Sequence, residues 1–281
     1  MRLGTLRIDG ATHAVVVRED GAVTIDGYAD VGALLRDGSA GWEAAARASH
    51  ATDGARPYDE AHLAQPVLDP GAVVCVGLNY RTHILEMGRD LPADPTLFSK
   101  LPRALTDPFA EVQLPAGSAK VDYEAELGVV IGRGGRDVPR ERAWGHVAGL
   151  TIVNDVTMRD FQRRTLQWFA GKTWQASTPI GPWIVTLDDI GPDALGTCEL
   201  RLTVNGEERQ RAPLGDLVFD VPAHIADLSQ IVELEPGDVI ATGTPGGVGE
   251  AQKRFLGDGD IVEVSIDRIG AIRTTFRGAR A

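Results

Sequence analysis

The chain is poor in cysteine: Cys75 and Cys198 are the only two among 281 residues. Both sit in apolar, strand-like contexts, Val73-Val-Cys-Val-Gly77 and Thr197-Cys-Glu-Leu-Arg-Leu202. They read as reduced, buried thiols in a reducing compartment and not as a disulfide framework. A catalytic thiol at Cys75 is the sharper reading but the weaker one. Basic residues are also in deficit, 28 Lys and Arg against 40 Asp and Glu, for a formal net charge of −12. That deficit speaks against nucleic acid or an anionic membrane as the main partner, because both select basic surfaces. No apolar run approaches the roughly 20 residues that cross a bilayer, and the opening MRLGTLRIDG has no apolar signal core. A soluble cytoplasmic protein is expected. Repeats and low-complexity stretches are absent as well. The length suits one large domain plus a small one.

Residues 1–65 read as a small N-terminal α+β unit. Alternating runs at Leu3–Ile8, Ala14–Arg18 and Val23–Asp26 suggest a small antiparallel sheet, and Val31–Leu35 and Trp42–Ala48 are helical in pattern. Turn-rich segments at Asp53–Pro57 and Gln65–Pro70 lead into a second unit, residues 70–281. There Val73–Gly77 and Val147–Asp155 read as buried strands. Asn79–Gly88 reads as a helical turn or two, followed by a polar, proline-containing loop over Arg89–Pro95. Ala143–His146 looks helical, and Thr157–Phe169 reads as an amphipathic helix capped by Asp155 or Thr157. Trp183–Thr186, Glu199–Val204, Asp238–Thr242 and Ile261–Ile266 are short strands, with an Asn205-Gly206 turn after the second. Many short strands with few helices favour a mainly β, α+β architecture over a doubly wound sheet.

The stretch Val121–Ile131 alternates as a strand does. Val121, Tyr123, Ala125, Leu127, Val129 and Ile131 form one face, and Asp122, Glu124 and Glu126 line up on the other. Two carboxylates about 5 Å apart repel by roughly 3 kcal/mol at an effective dielectric near 20. Solvent, a basic side chain or a bound cation can offset this, and the strand alone does not choose among them. His83 and Glu86 lie three apart on a helical turn, so their side chains can meet.

Several segments together resemble the fumarylacetoacetate hydrolase family: Gly77-Leu-Asn-Tyr-Arg-Thr-His83 with Glu86, Val121–Leu127, and Val153-Asn-Asp155 with Arg159-Asp-Phe-Gln162. To these are added Gly171-Lys172, Pro179-Ile-Gly-Pro182, Val204-Asn-Gly-Glu207 and Pro236–Gly246. Their order and spacing carry the resemblance from about Val73 to Phe276. It implies a mixed β-sandwich-like roll of the C-terminal type, a divalent metal and usually a homodimer. It assigns Glu124, Glu126 and Asp155 as ligands of Mg²⁺, with Mn²⁺ or Ca²⁺ in some relatives. An all-oxygen set suits these ions, whereas Zn²⁺ prefers nitrogen and sulfur. Asp122 is left a supporting role. The resemblance makes His83, held by Glu86, a general base on a lid segment, and puts Lys172 in the cleft on a substrate oxygen. Arg159, Gln162 and Thr244 would bind substrate. The Thr242–Gly249 turn lacks the Gly-Lys-Ser/Thr ending of a phosphate loop. Gln175 stands where many relatives have an acidic residue, which loosens any transfer of substrate identity.

The activity so implied is Mg²⁺-dependent C–C hydrolysis of acylpyruvates, 2,4-dioxo acids such as fumarylpyruvate, in aromatic catabolism. Oxaloacetate decarboxylation, or isomerisation and decarboxylation of dienoic diacids, would use the same site. A non-catalytic metal- or metabolite-binding protein is the reading from another class. The expected partner is a small 2-oxo acid.

Overall fold

A computed structural model describes residues 1–278, so the last three residues of the 70–281 unit lie outside the described residues. The fold is mainly β with short helices. Its large sheet runs, edge to edge, through Gly21–Thr24, Ala11–Arg18, Arg2–Ile8, Thr178–Val185, Val147–Asn154, Ala125–Ile131, Val239–Ala241, Val73–Gly77 and Thr96–Lys100. A second sheet orders Glu207–Pro213, Glu199–Val204, Ile261–Ile266, Gly270–Arg277 and Glu111–Gln113.

The main core is trapped between the two sheets. Leu127, Val129, Leu150 and Ile152 from the first meet Leu200, Leu202, Val262, Val264 and Ile272 from the second, and the helix Val221–Ile231 adds Val221, Ile225 and Leu228. Burying each such side chain contributes about 1.5–3 kcal/mol. The opposite face of the large sheet is covered by the helices Val31–Arg36 and Ser39–His50, through Val31, Leu34, Leu35 and Ala45 packed on Leu3, Val16, Val130 and Ile184. The three N-terminal strands continue the large sheet, since Leu3 pairs with Ile184 and Arg2 with Val185. Being buried on both faces, the central strand Ala125–Ile131 has every residue buried, its acidic face included.

Two expectations need correction. The strand foreseen over Val121–Ile131 breaks at Tyr123–Glu124: Val121–Asp122 leaves the large sheet and pairs with Thr157–Met158. The helix foreseen over Thr157–Phe169 is two four-residue helices, Arg159–Gln162 and Phe169–Lys172, around an irregular stretch. Two local interactions account for the gap. The Thr165 hydroxyl bonds Gln167 O (3.0 Å) and accepts from Gln167 N–H (3.2 Å), which competes with helix formation. Arg159 and Gln162 turn inward to bond each other. Neither Asp155 nor Thr157 caps a helix. The helix after Asn79 does form, over Arg81–Glu86, and Gly88 with φ +66° follows it.

Candidate active site

Ala125–Ile131 and Val147–Asn154 are antiparallel, so the start of one lies beside the end of the other, with Ala125 opposite Asn154. The residues just beyond that pair are Glu124 and Asp155. The Asp155 N–H donates to the Glu124 carbonyl (2.8 Å), and the Asn154 side chain accepts from the Glu124 N–H (3.1 Å). Glu126, two residues on, projects to the same side. Carboxylate oxygens of Glu124, Glu126 and Asp155 therefore lie within 4.8 Å of one another, all three residues buried.

Burying like charges at this range needs compensation, and three cations provide it. Lys172 Nζ donates to Glu124 Oε2 (2.5 Å) and Asp155 Oδ2 (2.6 Å). Lys100 Nζ pairs with Asp155 Oδ1 and reaches Val156 O (3.2 Å). Arg159 contacts Glu124 Oε1 (2.5 Å) and, through Nε, Asp122 Oδ2 (2.8 Å). Four carboxylates, counting Asp122, thus face three cations, and with all ionised one negative charge is left over. It falls on Glu126, whose side chain takes only the Gly243 N–H (2.8 Å) among the described residues. Burial, reinforced by Asp155 and Glu124, pushes the Glu126 carboxyl well above the carboxylate range. Burial alone would also raise Asp155, but Lys100 and Lys172 outweigh it and hold that carboxyl down to about 2.

This donor set fits a hard divalent cation. It is all oxygen, convergent and buried, and with all carboxylates ionised it carries an excess negative charge that such an ion would more than offset. Glu124, Glu126 and Asp155 are the residues that would hold it.

His83 is half-buried on the helix Arg81–Glu86, whereas Glu86 is exposed. Burial lowers the imidazole's pKa, against upward pulls from Glu86 and Glu124. No hydrogen bond joins His83 to Glu86 among the described residues. Both crowd Gly246: a Cβ there would lie 3.1 Å from His83 Nδ1 and 3.5 Å from Glu86 Oε2. Glycine is required at 171, where a Cβ would come within 2.6 Å of the Gln162 backbone. That close approach seats Lys172 in the cleft. Gln162 accepts from Arg159 (3.0 Å), and the Thr244 hydroxyl accepts from Gln210 (2.8 Å).

Lys100 and Gln210 were not legible as site residues. Lys100 looks like any lysine ending a strand, and only three dimensions bring it to Asp155. Gln210 donates to Thr244 and Pro245 O and accepts from Ala125 N–H, tying the glycine-rich turn to the acidic strand. Asp122 accepts from the N–H groups of Gly249 (2.6 Å) and Glu250 (2.9 Å) besides Arg159, so it anchors that same turn. Cys75 is fully buried, with its thiol pushed well up by burial and then by Asp155 and Glu126. It has no nucleophilic character.

Residues 72–277 match the family model described as fumarylacetoacetate (FAA) hydrolase, C-terminal. The chain is 42% identical over 244 residues to the human mitochondrial oxaloacetate tautomerase FAHD2A, which spans 85% of this chain and 77% of that protein. Among solved structures, 5-carboxymethyl-2-hydroxymuconate delta-isomerase from Mycobacterium smegmatis has a TM-score of 0.80 at 34% identity, over 99% of this chain and 100% of that one. Maleylpyruvate hydrolase from Sphingobium sp. SYK-6, solved with manganese(II) and pyruvate, has a TM-score of 0.81 at 31% identity over 100% of both.

Proposed function

The chain belongs to the fumarylacetoacetate hydrolase family, and we propose that it moves a proton at the carbon beside the keto group of a small 2-oxo diacid. Keto–enol tautomerisation of oxaloacetate is the preferred reaction. The observation that carries this reading is His83: a half-buried imidazole, its pKa lowered by burial, that has no hydrogen bond to Glu86 among the described residues. Such a group suits single-proton shuttling near pH 7. The likeness to an oxaloacetate tautomerase at 42% identity supports it.

A divalent cation, Mg²⁺ first and Mn²⁺ or Ca²⁺ as alternatives, would supply Lewis-acid polarisation of the substrate's carboxylate and keto oxygens. The chain's own residues do the rest. His83 accepts a proton from C3 of the keto form and the 2-oxygen gains one, so keto and enol forms contain the same atoms. Lys172 offers an ammonium to an anionic oxygen, and Arg159 and Gln162 orient the diacid. Thr244 and the N–H groups of its turn hold the distal end. The enzyme would act in the cytoplasm as a homodimer.

A second reading, C–C hydrolysis of an acylpyruvate such as fumarylpyruvate in aromatic catabolism, is favoured by the crowding of His83 and Glu86 around Gly246. There His83, held by Glu86, would take a proton from water while the water oxygen bonds to C4. The C3–C4 bond breaks, its electron pair leaves with pyruvate as the enolate, and C3 is then protonated. The likeness to maleylpyruvate hydrolase supports this alternative.

The test is one preparation, treated with chelator and reloaded with Mg²⁺, assayed for decay of the oxaloacetate enol absorbance and for pyruvate release from fumarylpyruvate. Fast enol decay without pyruvate release is expected. Pyruvate release as the faster reaction would overturn the tautomerase reading in favour of hydrolysis.

A further inference from the structure

Lys172 occupies a singular place among the three cations. Lys100 and Arg159 each take one oxygen of this cluster, Asp155 Oδ1 and Glu124 Oε1. Lys172 alone bridges two of the three clustered carboxylates, through Glu124 Oε2 and Asp155 Oδ2. These are the two oxygens that the other cations leave free. The Lys172 side chain is 2% exposed, and its Nζ lies 4.9 Å from the centre of the Phe98 ring. A divalent ion binds carboxylate oxygens at about 2.0–2.6 Å. The ammonium already stands 2.5 and 2.6 Å from both oxygens, so an ion drawing on the same pair would sit almost against it.

We propose that Lys172 is the metal-free site's own stand-in for the divalent cation, displaced from Glu124 and Asp155 when the ion loads and thereby released to the substrate's anionic oxygen. The inference rests on the reading that Glu124, Glu126 and Asp155 hold a cation. It adds a linkage. With every carboxylate ionised, the cluster is one charge negative before loading and Lys172 is engaged. After loading it is one charge positive and Lys172 has lost its partners, so an anionic substrate meets both a positive site and a free ammonium. Metal and substrate should then bind cooperatively, each strengthening the other by the same factor.

The experiment measures Mn²⁺ affinity, by electron paramagnetic resonance of free Mn²⁺, for chelator-treated wild type and Lys172→Met. The variant removes a competitor and a like charge at contact range, so its affinity is expected to rise by about tenfold or more. Wild type that binds Mn²⁺ with a variant that binds equally or more weakly overturns the proposal while sparing the metal site. Wild type that binds no Mn²⁺ overturns both. A second measurement on wild type alone covers a variant that does not fold: acetic anhydride labelling read by peptide mass, with and without Mn²⁺. Lys172 labelling is expected to increase severalfold with the ion, while Lys100 stays protected in both. Unchanged Lys172 labelling contradicts the displacement.

Discussion

Lys100 and Asp155 form an ion pair in which neither side chain has any solvent exposure. Breaking such a pair by deleting one partner leaves an uncompensated buried charge, at a cost of about 3–5 kcal/mol. Lys100→Met is therefore expected to lose about 3 kcal/mol in urea denaturation, near the lower end because Lys172 still contacts Asp155. A loss below about 1 kcal/mol would mean that Lys172 alone suffices.

His83 gives a pH signature. Its pKa is lowered from 6.5 by burial, and the neutral form is the one that accepts a proton. The acid limb of kcat/KM should lie below pH 6.5 and vanish in His83→Ala, with activity down about 10²–10⁴-fold. Glu86→Gln separates the two chemistries. It should leave enol decay within about threefold but cost tenfold or more if His83 must be held to activate water.

His224 ties stability to pH. Its imidazole is buried, its Nε2 lies 3.0 Å from Asn79 Nδ2, and burial lowers its pKa from 6.5 to about 4. As pH falls, the unfolded chain takes up this proton first. Stability is complete above pH 6.5 and is lost down to about pH 4, by about 3 kcal/mol in all. Urea midpoints measured between pH 7 and 4.5 should show this slope in wild type and lack it in His224→Gln. An equal slope in the variant would assign it to other groups.

Gly246→Ala tests the contact between the glycine-rich turn and the helix Arg81–Glu86. A methyl placed 3.1 Å from His83 Nδ1 pushes that side chain without touching the core. A tenfold or greater fall in kcat/KM, with unfolding unchanged to within about 0.5 kcal/mol, is expected from steady-state kinetics and urea melts. Gln210→Leu differs. It strands the Ala125 N–H and frees the Thr244 turn, so about 1–3 kcal/mol of stability should go with the activity.

Much of this was readable where side chains alternate between two environments. Val73–Gly77, Glu199–Val204 and Ile261–Ile266 appear with the expected ends, and the Asn205-Gly206 turn has both residues at positive φ. The acidic triad was named by the family resemblance: alternation alone put Glu124 and Glu126 on one face and gave no sign that Asp155, beyond the end of a different strand, would join them. The helix Val221–Ile231 was missed although Asp220 caps it and Pro222 sits in its first turn. The strand break at Tyr123–Glu124 was hidden because alternation continues through it. Lys100 had no local sign, since its partner lies 55 residues away. Lys172 and Arg159 were expected in the cleft but on the substrate; their pairing with the carboxylates was not read, and it sets the charge of the site.

The central claim is that Glu124, Glu126 and Asp155 together hold a divalent ion, and anomalous diffraction from a crystal soaked in Mn²⁺ tests it most directly. A single strong peak within coordination distance of all three carboxylates is the predicted result. Data showing no peak there, with the lysine ammonium still between Glu124 and Asp155 at saturating Mn²⁺, would contradict it.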